Sequence, residues 1–321
     1  MVQGGTPLHA PKHGGEAVLQ TPRAGKSVEM VCPACRGDLE TDGSGLKCCA
    51  CGQAYPSDPA TGVRDLRLRT PKRVSLELVV PPVGASGPPE LVDALVSCPV
   101  PQVDWSGYAP PVHLDPRLMS YLPRPSTPGA LALDLGCGDG SYRGAMEHAG
   151  YRWVGLDIDP ASASVVGDAQ ALPFANGSFD TVLSLTVLEH IQHPLLFASE
   201  AYRVLAPGRT LLGSAAFLEP MHSGSFYHHT HRGLWNTLTS AGFNVTMIAA
   251  SPRWTVLRAQ SGMALFPRMP LSLATAMVMP LQGAHRLWWL LAELAGMESA
   301  RAKRLSMTAG SFHFVAEKPH L

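Results

Sequence analysis

The sequence predicts an α/β protein: a doubly wound sheet of seven strands, preceded by a small cysteine-rich domain. Two observations carry this. Over residues 129–321, apolar runs of strand length alternate with segments of helical period, the pattern of strands joined by crossover helices. Ahead of them, four of the seven cysteines fall into two C-x2-C pairs. The composition is globular, with 45% hydrophobic residues, 16% charged residues and a formal net charge of zero. That balance argues against a chain that wraps nucleic acid over a wide surface, though a local basic patch stays open. No apolar run reaches the roughly eighteen residues of a transmembrane helix. Residues 1–27 lack the apolar core and cleavage pattern of a signal peptide. They are expected to be an unstructured leader, and the expected compartment is cytoplasmic.

The elements follow in order. Residues 28–70 hold the cysteine pairs. Residues 71–128 are rich in proline and predict a linker with short ordered pieces. In the last region "ALALDLGC" (130–137) is an apolar run ending on glycine, suited to a buried parallel strand. "SYRGAMEHAG" (141–150) has helical spacing with Gly150 as its C-cap. "RWVGLDI" (152–158) is the second strand and "ASVVGDA" (163–169) the third, too close for much helix between them. "FDTVLSLTV" (179–187) is the fourth strand. "HPLLFASEAYRVLAPG" (193–208) is a helix closed by Pro207-Gly208. "TLLGSAA" (210–216), "FNVTMIAA" (243–250) and "SFHFVAEK" (311–318) complete the strands, with a helix at "GLWNTLTSAG" (233–242). The insert at 262–306 is apolar and Met-rich and carries Trp288 and Trp289. Its prolines and arginines oppose a membrane span. It suits core helices, a lid over an apolar acceptor, or peripheral contact with a membrane surface.

Asp134, Gly136, Gly138 and Gly140 form D-x-G-x-G-x-G between the first strand and its helix. Glycines there allow a sharp turn and let a ligand approach the main chain. Asp157 closes the second strand, placed to accept hydrogen bonds from a ribose diol, and Asp168 closes the third. All three positions converge on the carboxyl edge of the sheet, where such folds bind ligands. Asp159, before Pro160, suits a turn.

These motifs, with "SFDTVLSLTVLEHI" and "EAYRVLAPG", resemble in order and spacing the class I S-adenosylmethionine-dependent methyltransferases over residues 129–250. The resemblance implies a Rossmann-like sheet and S-adenosylmethionine as cofactor. It implies that Asp134, Gly136, Gly138 and Gly140 hold the methionine end. Asp157 would bind the ribose, Asp168 with Ala169 the adenine, and Ser184 to Thr186 would line the mouth. Pro207-Gly208-Arg209 departs from the usual Pro-Gly-Gly, and the helix after the second strand is nearly missing. Histidines follow the fourth strand at His190 and His193, and the fifth at "MHSGSFYHHTHRG". His190 or His228 is the expected general base, since imidazole titrates in the useful range.

Cys32, Cys35, Cys48 and Cys51 give C-x2-C-x12-C-x2-C, the spacing of a structural Zn²⁺ site, with Cys49 left over. Cys137, in the glycine loop, is expected to pack. "VCPACRGDL…LKCCACGQAYPSDPATGVRDL" resembles the small zinc-binding activator subunit of tRNA, rRNA and release-factor methyltransferases, which implies a zinc ribbon and a surface for a protein partner. The expected function is methyl transfer to oxygen of a small apolar or lipid-linked molecule. A tRNA or rRNA methyltransferase using the ribbon and the basic stretch "RDLRLRTPKR" is the second reading, and a non-catalytic scaffold the third.

Overall fold

A computed structural model describes residues 28–43, 45–76, 96–111, 113–159, 161–222, 224–297 and 300–320. The predicted leader and residues 77–95 of the predicted linker lie outside them. The cysteine pairs sit in a three-stranded antiparallel sheet of β1 (Leu39–Thr41), β2 (Gly45–Cys48) and β3 (Ala54–Pro56). Its buried side chains are few: Cys32, Leu46, Cys48 and Tyr55. So small a core needs a further tie, here the thiol cluster itself and the sheet behind it.

After β4 (Arg64–Asp65) and α1 (Pro116–Met119), the α/β region runs in the expected order. It comprises β5 (Leu131–Leu135), α2 (Arg143–His148), β6 (Arg152–Asp157), β7 (Val165–Val166), β8 (Phe179–Leu185) and α3 (Pro194–Val204). Then come β9 (Leu205–Ala216), α4 (His231–Ser240), β10 (Asn244–Ala250), α5 (Val256–Gln260), α6 (Leu271–Leu294), α7 (Ala300–Thr308) and β11 (Ser311–Glu317). The sheet order is β10-β11-β9-β8-β5-β6-β7-β4, parallel except for β11, which is antiparallel to both neighbours. The central strand β5 is buried along all five residues, as a strand covered on both faces must be.

Three details differ from the sequence expectation. The sheet has eight strands, because β4, from the end of the cysteine module, pairs with β7. Leu66 follows β4 fully buried and donates its N–H to the Val166 carbonyl at 2.7 Å. Helix α3 stops at Val204 instead of running to Pro207-Gly208, which lie inside β9. Gly208 has φ +69° there, and the β8–β9 register slips between Phe179 and Thr181. The insert is not a core element: of the 24 residues of α6, Ala274 and Val278 alone are buried.

The module and the sheet share one hydrophobic core, in which Cys32, Tyr55 and Leu66 join Leu133, Phe174 and Phe197. Polar ties reinforce it. Glu200 on α3, itself buried, accepts from Arg36 of the module (3.1 Å), from Arg203 (2.7 Å) and from the Leu172 N–H (2.8 Å).

Candidate functional site

Asp134 is the one polar residue in the apolar run of β5. One carboxylate oxygen accepts from Trp153 Nε1 at 3.0 Å. The other, Oδ1, is buried with no hydrogen-bond partner among the described residues. Burial pushes its carboxyl up to about 7, against the opposing pull of the Trp153 hydrogen bond. Gly136, Gly138 and Gly140 then turn the chain with φ of +79°, +51° and +76°, a region L side chains avoid. A Cβ on Gly136 would collide with Val187, whereas one on Gly138 would meet nothing and stand in the open space beside the loop.

Asp157, at the end of β6, accepts the Gly138 N–H through Oδ2 (2.8 Å) and the Asp159 N–H through Oδ1 (2.9 Å). A carboxylate offers about four lone-pair directions, so a ligand diol still finds acceptors. Asp159 caps its own turn by accepting the Ala161 N–H. Asp168 is half-buried beside buried Ala169 and is oriented by Gln170, which donates to it from its backbone (2.8 Å) and its side chain (3.2 Å). The strand ends thus bring Asp134, the glycines, Asp157 and Asp168 to one edge. An orphaned carboxylate oxygen, a main-chain loop without side chains and two further carboxylates fit a cofactor with a cationic amino group and a ribose. Ser184 is buried next to the start of the glycine loop and donates to the Leu135 carbonyl at 3.1 Å, bracing β8 against β5. Burial pushes the Cys137 thiol up to about 12, so it is a packed, protonated side chain.

Beside this cradle lies a second cavity of about 410 Å³, lined by sixteen residues brought together by the carboxyl edge of the sheet. The lining mixes polar side chains, among them Thr186, Glu189, His222, Arg258 and His313, with the apolar Trp254, Met263 and Leu271. Thr186 joins the two sites. It lines the cavity at φ +55°, a strained angle for a β-branched residue, while its neighbour Val187 packs on Gly136. Glu189 Oε2, His313 Nδ1 and Arg258 Nε are buried without partners among the described residues, and all three residues line the cavity. Burial pushes the Glu189 carboxyl up to about 7 and holds the His313 imidazole neutral.

His190 and His228 are not among the residues lining this cavity. His190 turns off the same 3₁₀ turn as Glu189 and meets His222 edge to face, with ring centroids 5.1 Å apart. The ligand atoms of Glu189, His190 and His222 lie within 4.8 Å of one another. His228 has a buried Nε2 without a hydrogen-bond partner among the described residues. The sequence did not point to His113, Glu219, Arg258 or His313 as site residues. His313 had a visible signal, a histidine inside an otherwise apolar strand. The others sit in segments with no periodic pattern.

In the module, Cys32 Sγ lies 3.7 Å from Cys51 Sγ, and Cys35 Sγ lies 3.4 Å from Cys48 Sγ. All four sulfurs fall within 4.8 Å of one another. Zinc bonds of about 2.3 Å in a tetrahedron place sulfurs about 3.8 Å apart, so the donor set fits the ion. Tyr55 Oη sits 3.1 Å from Cys32 Sγ, and Cys49 is exposed outside the cluster.

The glycine cradle and the mainly parallel sheet have the arrangement that the sequence resemblance to class I S-adenosylmethionine-dependent methyltransferases implies. Residues 133–212 match the family described as "Methyltransferase domain". Over these residues the chain is similar to methyltransferases. An uncharacterized methyltransferase of Mycobacterium leprae is 36% identical over 93 residues, which cover 25% of this chain and 35% of that protein. The chain spans about a third of the length of such curated relatives. Among solved structures, a complex of the Haloferax volcanii Trm112 methyltransferase activator with a methyltransferase aligns at 20% identity and a TM-score of 0.42, over 63% of this chain and 88% of that one. Phosphoethanolamine N-methyltransferase 2 of Haemonchus contortus, in complex with S-adenosyl-L-methionine, aligns at 19% identity and a TM-score of 0.39, over 61% and 50%. Neither likeness is close enough to carry a substrate or a partner to this chain.

Proposed function

We propose that the chain transfers a methyl group from S-adenosylmethionine to an oxygen of a small acceptor held in the 410 Å³ cavity. The observation that carries this is the shared wall at the end of β8, where Val187 packs on the glycine loop and Thr186 faces the cavity. Asp134, Gly136, Gly138 and Gly140 would hold the amino-acid end of the cofactor, Asp157 its ribose, and Asp168 with Ala169 its base. When bound, the cofactor supplies a reactive sulfonium methyl. The chain's own work is to orient the acceptor, exclude water and take the acceptor's proton. Glu189 suits the proton-accepting role, because it lines the cavity, has a free oxygen, and holds a carboxyl near 7 that is poised at neutral pH. His222, with His190 against it, is placed to pass that proton on. A lining that mixes polar groups with Trp254, Met263 and Leu271 suits an acceptor with a hydroxyl on a partly apolar body.

Cys32, Cys35, Cys48 and Cys51 would hold a structural Zn²⁺, with no position open for catalysis. The RNA-acceptor reading has less support. Arg67 and Arg69 are paired with Asp65, and Lys72 donates to the Pro33 carbonyl at 2.8 Å, which leaves little of the basic stretch for phosphate.

Calorimetry with S-adenosylmethionine tests the cofactor half of the proposal. Binding by the wild type and at least tenfold weaker binding by Asp157→Ala are expected, while no binding by the wild type would leave the scaffold reading. Detection of S-adenosylhomocysteine across a panel of hydroxylated acceptors tests the other half. Turnover with bulk tRNA or rRNA and with no small molecule would overturn the acceptor assignment.

A further inference from the structure

Helix α6 is apolar on its exposed side as well as on the side that faces the protein. Its inner stripe holds Ala274, Val278, Gln282, His285, Trp289 and Ala292, buried or half-buried. Its outer surface carries Leu273, Met277, Met279, Leu287, Trp288 and Leu294, each half or more exposed, with Trp288 at 69% and Leu294 at 76%. At about 100° per residue these six cover roughly half the circumference of the helix. A partner helix covers a stripe of about 100°, so a second protein chain would leave much of this surface in water. A bilayer covers all of it.

Charge and shape name the kind of bilayer. Over residues 262–309 the sequence carries five cations, Arg268, Arg286, Arg301, Lys303 and Arg304, against two acids, Glu293 and Glu298. Arg286 and Arg304 both line two crevices of about 230 Å³ along the helix, one with Leu281 and His285, the other with Trp289, Leu290 and Glu293. Guanidinium groups above an apolar slot suit a phosphate with acyl chains below it. Tryptophan is at home at that depth. No described helix is long and apolar enough to cross a membrane, and Pro280, Arg286 and Glu293 interrupt α6.

We propose that α6, with α7, seats in the interfacial layer of an anionic phospholipid bilayer and lies along it without spanning. Leu271, which begins α6, and Met263 also line the 410 Å³ cavity, so docking would bring that cavity to the membrane surface. The docking itself does not rest on the methyl-transfer reading.

The test uses the full chain with vesicles of phosphatidylcholine, alone and mixed with phosphatidylglycerol. Co-sedimentation with the mixed vesicles, weakened by salt, is expected, with quenching of tryptophan fluorescence by brominated lipid. The double variant Trp288→Glu/Leu291→Glu should lose binding. Arg286→Glu/Arg304→Glu should lose about tenfold or more of the preference for anionic vesicles, at about 1 kcal/mol per surface cation. Circular dichroism and cofactor calorimetry establish that each variant is folded. Absence of vesicle binding by folded wild type would overturn the proposal and leave the methyl-transfer reading untouched. So would a concentration-dependent dimer in light scattering that Trp288→Glu/Leu291→Glu abolishes in the absence of vesicle binding, because a second copy would then be the occupant.

Discussion

Asp134 lies 1% exposed within β5, with one oxygen bonded to Trp153 and the other without a partner among the described residues. Its carboxyl sits at about 7 when folded and at 3.8 in the free side chain, so the folded state holds the proton more tightly. That contribution to stability is full below the lower value and is lost as pH rises towards the higher one. At about 1.36 kcal/mol per pKa unit the loss is on the order of 4 kcal/mol. Thermal melts of cofactor-free Asp134→Asn should therefore show little change from wild type near pH 4 and a higher melting temperature at pH 8. The same variant should bind S-adenosylmethionine at least tenfold more weakly in calorimetry, because the buried charge that would meet the cofactor's amino group is gone. Glu189→Gln keeps the shape of the cavity wall and removes the proton acceptor. It should lower kcat by roughly 10²–10⁴ with cofactor affinity unchanged. A normal kcat would move the base to His222 or His190.

Elements are joined here by a few buried groups, and Glu200 is the clearest. It binds Arg36 of the cysteine module, Arg203 of its own helix and the backbone ahead of Phe174. Glu200→Ala leaves the nearly buried Arg203 short of its partner and the Leu172 N–H without an acceptor. A loss of about 3–5 kcal/mol in urea unfolding is expected, with earlier proteolysis of the module than of the sheet. Within the module, Cys48→Ser and Cys51→Ser should lose zinc by elemental analysis. Cys49→Ser should keep it, because Cys49 stands outside the four-sulfur cluster.

The whole molecule couples the two sites through its sheet. Strand β4 leaves the cysteine module and pairs with β7, and Asp168 follows β7 by two residues. The Val31 and Ala175 N–H groups donate to Pro173 and Glu29 across the same junction, at 3.0 and 3.1 Å. Chelation of the metal should consequently weaken S-adenosylmethionine binding as well as lower the melting temperature. Calorimetry before and after treatment with a thiol-compatible chelator measures both. An unchanged cofactor affinity in the metal-free, folded protein would show that the edge strand holds without its module.

Features that depend on neighbouring residues could be read straight from the chain. Strand and helix alternation, the D-x-G-x-G-x-G turn, the aspartates at successive strand ends and the C-x2-C pairs are all short-range patterns, set by backbone period and ligand spacing. The convergence of Asp134, Asp157 and Asp168 on one edge was legible for a related reason: crossover connections have one hand. Everything else came from packing. The cavity gathers His113, Glu189, His222, Trp254 and His313 from five separate segments, and no periodicity links residues so far apart in the chain. Packing placed Glu189, and neither His190 nor His228, among the residues lining the cavity, and composition does not reveal that burial. It joined β4 to the sheet through a strand of two residues, too short to carry a pattern. It also turned the apolar face of α6 outward. An apolar helical period states that a face must be covered, and only the packed fold shows that the other described residues do not cover it.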